Sequence, residues 1–407
     1  MRILFLTQWF DPEPTPKGLI FVKKLKELGH DVDVLSPIPN YPKGKYYDGY
    51  KFKLSQSEYL DGTKVIRAPI FPSHDESSIK RALTYLSFTL SSLFIGIFLR
   101  KKYDLIYAYH PPNIGLVALL ISFFKKIPVV HDVQDIWPDT FYSTGMIRNK
   151  IIIKMLNSFS SWVYKSVDAL VVISPGFKKA LVQKGIPKEK INIIYNWCEE
   201  SKILMPEVIK NNPIKKSKRF NIIFAGNMGK AQNLIFVLKS AKILSVESPN
   251  IHFNFLGDGL ELNKMKDYSI KHNLKNVSFI PRVSMDAVGS VLSEADVLLV
   301  HLKQDPLFEI TIPSKIQAYL AIGKPIINTV RGDASDIISN SNAGINVHSE
   351  NPSDLAMAFK KLYQMEPTNL CQFGMNGKSY YHKNFSLLIG VKKLEEVFNS
   401  LALGSKN

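Results

Sequence analysis

The feature that constrains this chain most is a repeated alternation. A short apolar run leads to a turn-rich loop, then to helical spacing, then to another apolar run. Residues 2–7 (RILFLT), the loop QWFDPEPTPKG, the helical spacing of 19–28 and GHDVDVLS form its first instance. FNIIFAGNMGKAQNLIFVLKSAKIL and HFNFLGDGLELNKMK begin it afresh past residue 218. Consecutive strands separated by a helix pair in parallel through crossovers rather than as hairpins. Each half supplies about six such strands. The expected architecture is therefore α/β: two Rossmann-like doubly wound domains facing a central cleft. The segment EESKILMPEVIKNNPIKKSK loses periodicity and gains charge, so it reads as a linker. The expected division is 1–200, a linker over 201–218, a second domain over 219–384, and a last helix over 385–407 able to cross back to the first. A chain of 407 residues has room for both cores.

The chemistry concentrates in 307–325, LFEITIPSKIQAYLAIGKP. The reading puts Glu309 on a short loop and starts a helix at Pro313, with Gln317 one turn in and Gly323 as the stop. Ser314 and Lys315 stand at that start, where unpaired N–H groups and the positive end of the helix dipole suit a phosphate. This reads as the diphosphate site of a sugar nucleotide, with Glu309 near the sugar. A capped surface helix with a scattered charge accounts for the same residues without a ligand.

The net charge of +17 favours an anionic partner: phosphorylated substrates or an acidic membrane face. No RNA-binding signature or zinc-finger spacing is present, so no nucleic-acid partner is expected. Cys198 and Cys371 are far apart and form no CxxC, which suits a reducing compartment. MRILFLTQWF reads as a first buried strand, not a signal peptide. Residues 83–99 carry no charge and have basic residues on both sides. They are long enough to approach a membrane span. The strand-like DLIYAY that follows favours a buried or interfacial helix of an α/β layer. Its basic flanks, and the basic segment MIRNKIIIKMLNSFSSWVYK, suit anionic lipid. PNYPKGKYYDGYKFK mixes basic and aromatic side chains suited to sugar stacking, phosphate or the lipid interface. His131, Asp132 and Asp135 lie at or just past the end of a strand, the edge where open α/β sheets bind ligands. They are candidates for acid–base work, or for capping the next helix. Gly18 opens the first helix, where a missing Cβ admits a ligand or simply makes a turn.

Together these residues resemble the retaining GT-B-fold glycosyltransferases of family 4, over nearly the whole chain. Glu309-x7-Gln317 followed by AYLAIGKPII resembles that family's E-x7-E motif and the EAMACGKPVI run after it. GHDVDVLS, VDALVVISPGFKKAL, IIYNW, FAGNMGK and FLGDG add to the likeness, and PNYPKG and DIWPD resemble bacterial O-antigen and capsule transferases, especially N-acetyl-L-fucosamine transferases. The resemblance implies a retaining transfer from a UDP-sugar to a polyprenyl-diphosphate-linked saccharide. It implies a peripheral enzyme on the cytoplasmic face of the plasma membrane, resting on an anionic membrane surface. No cofactor or metal is expected. The first domain would take the acceptor and the second the donor nucleotide. Glu309 would bind the donor sugar, and His131 or Asp132 would act opposite it, with Asp135 on the acceptor side. Gly18, Gly226, Asn227 and Lys230 would flank the diphosphate, together with Ile312, Pro313, Ser314 and Lys315. Gln317 would take the ribose place.

Three departures stand out. Gln317 replaces a Glu, and a neutral amide binds a ribose hydroxyl more weakly. Asn227 and Gln232 fall where Arg and Lys are common, and Pro313 removes a backbone donor. Lys315, with Lys230 or Arg282, would supply the missing charge. The rival readings are a sugar-nucleotide epimerase or a phosphorylase on the same fold, and a non-catalytic, membrane-docked assembly subunit.

Overall fold

The computed structural model describes residues 1–73, 78–139, 149–207, 212, 214 and 219–404. Residues 146–148 of the basic segment and half of the expected linker lie outside these. The chain forms two compact units, Met1–Tyr195 with Gly390–Asn407, and Asn196–Ile389.

The first unit is built on an eight-stranded sheet. Its strands are β1 (Arg2–Thr7), β2 (Asp31–Pro37), β3 (Gln56–Leu60), β4 (Thr63–Ala68), β5 (Leu105–Tyr109), β6 (Val129–Val133), β7 (Ala169–Val172) and β8 (Ile191–Ile193). Their order is β3-β4-β2-β1-β5-β6-β7-β8. Every neighbouring pair is parallel except β3 with β4. The central strands are apolar throughout because helices cover both faces. The hairpin of β3 and β4 is the addition to the expected set. Its signal was Asp61-Gly62, both at positive φ (47° and 74°), as a two-residue hairpin turn requires.

Helices α1 (Leu19–Glu27), α2 (Ser78–Phe98), α3 (Pro112–Lys125), α4 (Lys150–Ser166) and α5 (Pro175–Gln183) connect these strands. The chain runs outward from β1 to β2 and then returns to β5 on the other side of β1. The loops after β1 and β5 thus diverge at the carboxyl edge, the place where such sheets bind ligands. Buried Glu13 ties the loops after β1 and β2 together. It accepts the N–H groups of Asn40 (2.6 Å), Tyr41 (2.7 Å) and Phe10 (3.3 Å). This anchors the aromatic segment that begins at Pro39.

The second unit opens with a short helix, α6 (Glu200–Leu204), where the linker was expected. A Cβ at Gly289 would stand 2.5 Å from the Ile203 carbonyl, so α6 is docked on the unit. Its sheet is wholly parallel, in the order β11-β10-β9-β12-β13-β14. These strands are β9 (Phe220–Asn227), β10 (Ile251–Asp258), β11 (Val277–Ile280), β12 (Val297–Val300), β13 (Ile326–Asn328) and β14 (Gly344–Asn346). Phe224, Phe253, Phe255, Leu299 and Phe359 lie in its core. The strand order reverses between β9 and β12. The helices are α7 (Leu234–Glu247), α8 (Leu262–Lys271), α9 (Met285–Leu292), α10 (Pro306–Glu309), α11 (Ser314–Ile322), α12 (Asp333–Ser341), α13 (Pro352–Tyr363), α14 (Pro367–Asn384) and α15 (Leu387–Gly404). From Gly390 onward α15 belongs to the first unit, where Phe398 meets Tyr107 at 5.6 Å between ring centroids.

Candidate active site

In the second unit the loops after β9 and β12 come together at the reversal point. The Lys303 N–H donates to the Ala231 carbonyl (2.8 Å), and buried His301 Nδ1 lies 2.7 Å from the Gln232 carbonyl. Gly226 has φ +129°. A Cβ there would stand 2.9 Å from Cε of Lys315, so the glycine makes room for that lysine. The Lys315 ammonium sits 4.3 Å from the centroid of Phe224. Burial lowers its pKa to about 8, and no carboxylate opposes that effect. A largely buried cation without a counter-ion suits an anion.

The helix start differs from expectation in a way that helps a phosphate. Helix α11 begins at Ser314, and Pro313 is its cap. The Pro313 carbonyl accepts from the Ile316 N–H (2.9 Å), and among the described residues the Ser314 and Lys315 N–H groups donate to nothing. Pro313 therefore takes no donor from the first turn. Ile312 is buried and packs the turn instead of lining it. Gly323 ends the helix at φ 75°, as expected of a stop.

Gln317 does not take the ribose place. Its side chain is buried, and its amide, oriented to satisfy its surroundings, donates to the carbonyls of Pro313 (3.0 Å) and Ser314 (2.9 Å). Beside it Ala318 is half-buried, and Ser314 at the helix start is exposed. Glu309 ends the one-turn helix α10 rather than lying on a loop, with Asp305 capping the Leu307 N–H (3.0 Å). Gly332 packs on its backbone, since a Cβ there would stand 2.0 Å from the Glu309 carbonyl oxygen. Half-buried Glu309 shares a shallow groove with Lys303, Thr329 and Arg331, and its carboxylate has no partner among the described residues. Asn227 and Lys230 are exposed on the β9 loop. Arg282 is exposed after β11, two strands out from β9, and is not gathered with Lys315.

The first unit corrects three expectations. The space at Gly18 belongs to Asp11, whose carboxylate caps α1 by accepting the Leu19 N–H (2.6 Å). A Cβ at Gly18 would stand 2.2 Å from that oxygen, so the missing Cβ serves a cap and not a ligand. His131 points into the helix layer against Gly115, Val163 and Tyr164, fully buried, with neither ring nitrogen partnered. Burial and nearby His110 hold its pKa near 3, so it is neutral and enclosed. Asp132 points to the other face, fully buried in an ion pair with Lys17 and accepting from Tyr107 and Gln134. Neither His131 nor Asp132 is open to a substrate.

A second pair at this edge is buried His110 (8% exposed) with half-exposed Asp135. Nε2 of His110 stands 3.2 Å from the half-exposed Asp135 carboxylate. Burial raises the Asp135 pKa, but the hydrogen bond and charge of His110 outweigh it, and the net shift is downward. His110 has φ 25°, uncommon for a bulky residue, and its N–H donates to the Asp132 carbonyl (3.0 Å). Its ring stacks on Trp9 at 5.8 Å, and Trp9 meets Tyr41 at 6.0 Å. A carboxylate that holds one imidazole nitrogen leaves the other to accept a hydroxyl proton. His110 directly follows strand β5, whereas His131 lies within β6, so the strand-end rule that selected His131 fits His110 better. Among the described residues, no three His, Cys, Asp or Glu converge as metal ligands.

Residues 21–197 match the family described as "Glycosyl transferase 4-like domain", and residues 206–379 match "Glycosyl transferases group 1". The chain is a glycosyltransferase of the GT-B fold. Over 290 residues the transferase is 27% identical to the probable glycosyltransferase WbjE of Pseudomonas aeruginosa, covering 70% of each chain. Over 343 residues it is 26% identical to the putative colanic acid biosynthesis glycosyl transferase WcaI of Escherichia coli, covering 79% of this chain and 82% of that protein. The crystal structure of Anabaena Alr3699/HepE in complex with UDP superposes with a TM-score of 0.70 at 15% identity, covering 98% of this chain and all of that one.

Proposed function

We propose that this transferase moves a sugar, N-acetyl-L-fucosamine, from a UDP-sugar to a polyprenyl-diphosphate-linked saccharide, with retention at the anomeric carbon. The work is done at the cytoplasmic face of the plasma membrane, in capsule or O-antigen assembly. The observation that carries the donor assignment is Lys315: a largely buried ammonium beside free N–H groups at a helix start, opposed by no carboxylate. That arrangement suits the diphosphate, whose charge grows as the sugar leaves. Glu309, unpartnered ahead of the same helix, serves the sugar, and His110 with Asp135 serves the acceptor hydroxyl. Support for UDP comes from the Anabaena structure, which is in complex with it. Support for a surface polysaccharide comes from the relative named for colanic acid biosynthesis. Incubation of the transferase with a panel of UDP-sugars and polyprenyl-diphosphate-linked saccharides, read by mass, tests the assignment. The expected product carries one added N-acetylfucosamine, its configuration read by NMR. Donor consumption without acceptor, or transfer only from a non-uridine donor, would refute it.

A further inference from the structure

Helices α2, α3 and α4 pack side by side, α2 on α3 and α3 on α4, as one layer of the first unit. Their outer surface is strongly apolar. Along α2, Ile79, Leu83, Leu86, Leu90, Phe94 and Phe98 fall on one stripe, each at least 44% exposed, opposite the inward-facing Phe88 and Ser92. Beside it on α3, Phe123 and Phe124 are 78% and 62% exposed. A patch of this kind is not left open to water without a partner.

The charge of the layer says which partner. Residues 78–103, 112–126 and 149–167 hold ten Lys or Arg and no Asp or Glu. Lys101 is answered by Asp31 and Asp33 from β2. The general excess is positive, and exposed Arg100 and Lys102 stand at the end of the α2 stripe. Two copies of such a face repel each other, whereas an anionic bilayer offers both an apolar interior and negative headgroups.

Helix Ile79–Phe98 is long and apolar enough to cross a bilayer by length and composition. Its packing argues otherwise. It joins β4 to β5 of one sheet, and a Cβ at Gly96 would stand 2.2 Å from the side chain of Ile121 on α3. A helix docked along its length on its own unit presents one side to lipid.

We infer that α2 is an in-plane insertion helix, its apolar stripe entering the acyl boundary of an anionic bilayer while the basic ends meet the headgroups. This rests on the membrane-face reading above but goes beyond it, since a purely electrostatic contact would leave the stripe in water. The test uses the full chain and co-flotation with vesicles of phosphatidylcholine and phosphatidylglycerol. Leu86→Ser, Leu90→Ser and Phe94→Ser are combined in one variant, which keeps every charge. Unchanged far- and near-ultraviolet circular dichroism confirms that this variant is folded. Partitioning should fall at least tenfold. In a Cys371→Ser background, a spin label at Leu90→Cys should become accessible to oxygen and shielded from a water-soluble nickel chelate when vesicles are added. Partitioning unchanged by the triple substitution but abolished by Arg100→Glu with Lys102→Glu would overturn insertion and leave a charge-driven membrane contact. No binding of the unmodified chain to these vesicles would overturn both. A dimer in solution that the triple variant dissolves would assign the stripe to a second copy instead.

Discussion

Lys315→Met separates a ligand-binding lysine from a structural one, because the two roles shift stability in opposite directions. Burial holds the ammonium near 8 in place of 10.5. Keeping it charged at pH 7 therefore costs the free protein about 3 kcal/mol. The ring of Phe224 beneath it offsets about 1 kcal/mol. Methionine has similar length and carries no charge, so the variant should be about 2 kcal/mol more stable at pH 7. At about 2–4 °C per kcal/mol, the rise in melting temperature is readily measured. The sign with pH follows from a folded pKa below the unfolded one. The penalty is fully present below about 8 and disappears as pH rises towards 10.5, so the stability difference should vanish by the upper end of that range. Binding should go the other way. Loss of a charge-assisted bond to the diphosphate weakens UDP by ~1.5–3 kcal/mol, on the order of ten- to a hundredfold. The affinity of the unmodified chain should also decline as pH rises through about 8, while the variant shows no such dependence. Thermal unfolding at pH 7 and 10, with calorimetric UDP titrations over the same range, measures all of this. A variant that is less stable at pH 7 and binds UDP normally would refute the assignment of Lys315.

Other substitutions probe the remaining groups. Glu309→Gln keeps the shape and should lower turnover by roughly a hundredfold while UDP affinity holds, because UDP lacks the donor sugar that Glu309 serves; equal loss in both would make it a nucleotide or structural residue. His110→Asn should lower transfer on the order of a hundredfold or more with UDP binding intact, and unchanged transfer would remove the His110–Asp135 pair from the chemistry. His131→Leu should leave turnover near its original value. Because His131 is held near 3 when folded and near 6.5 when unfolded, the parent chain loses stability progressively as pH falls from 6.5 towards 3. The leucine variant should lack that part of the acid sensitivity, and an identical acid-unfolding profile would contradict the enclosed, neutral histidine.

Much of this protein is determined by local chemistry that a sequence displays directly. The apolar runs and the helical spacing between them specify parallel strands and crossovers. Gly323 marks the end of α11 because only a residue tolerant of positive φ closes a helix there. The placement of Lys315 at that helix start follows from the same local rules. Asp61-Gly62 spelled out a hairpin too, overlooked because the surrounding pattern is parallel. Which side chains face a ligand is a different kind of question. Successive strand residues point to opposite faces, so His131 and Asp132 had to part company, and only the helices packed above and below decided that both faces were closed. His110, one residue past its strand, is buried too, but it meets half-exposed Asp135 from a neighbouring loop. Gln317 turned inward because its side chain could satisfy itself on the first turn of its own helix. The space at Gly18 went to Asp11, seven residues back. Residues 83–99 read in sequence as a buried or interfacial helix, and tertiary packing decided that one side of α2 is left uncovered. Burial, facing and partner choice depend on elements distant along the chain, and composition and periodicity carry no information about those distances.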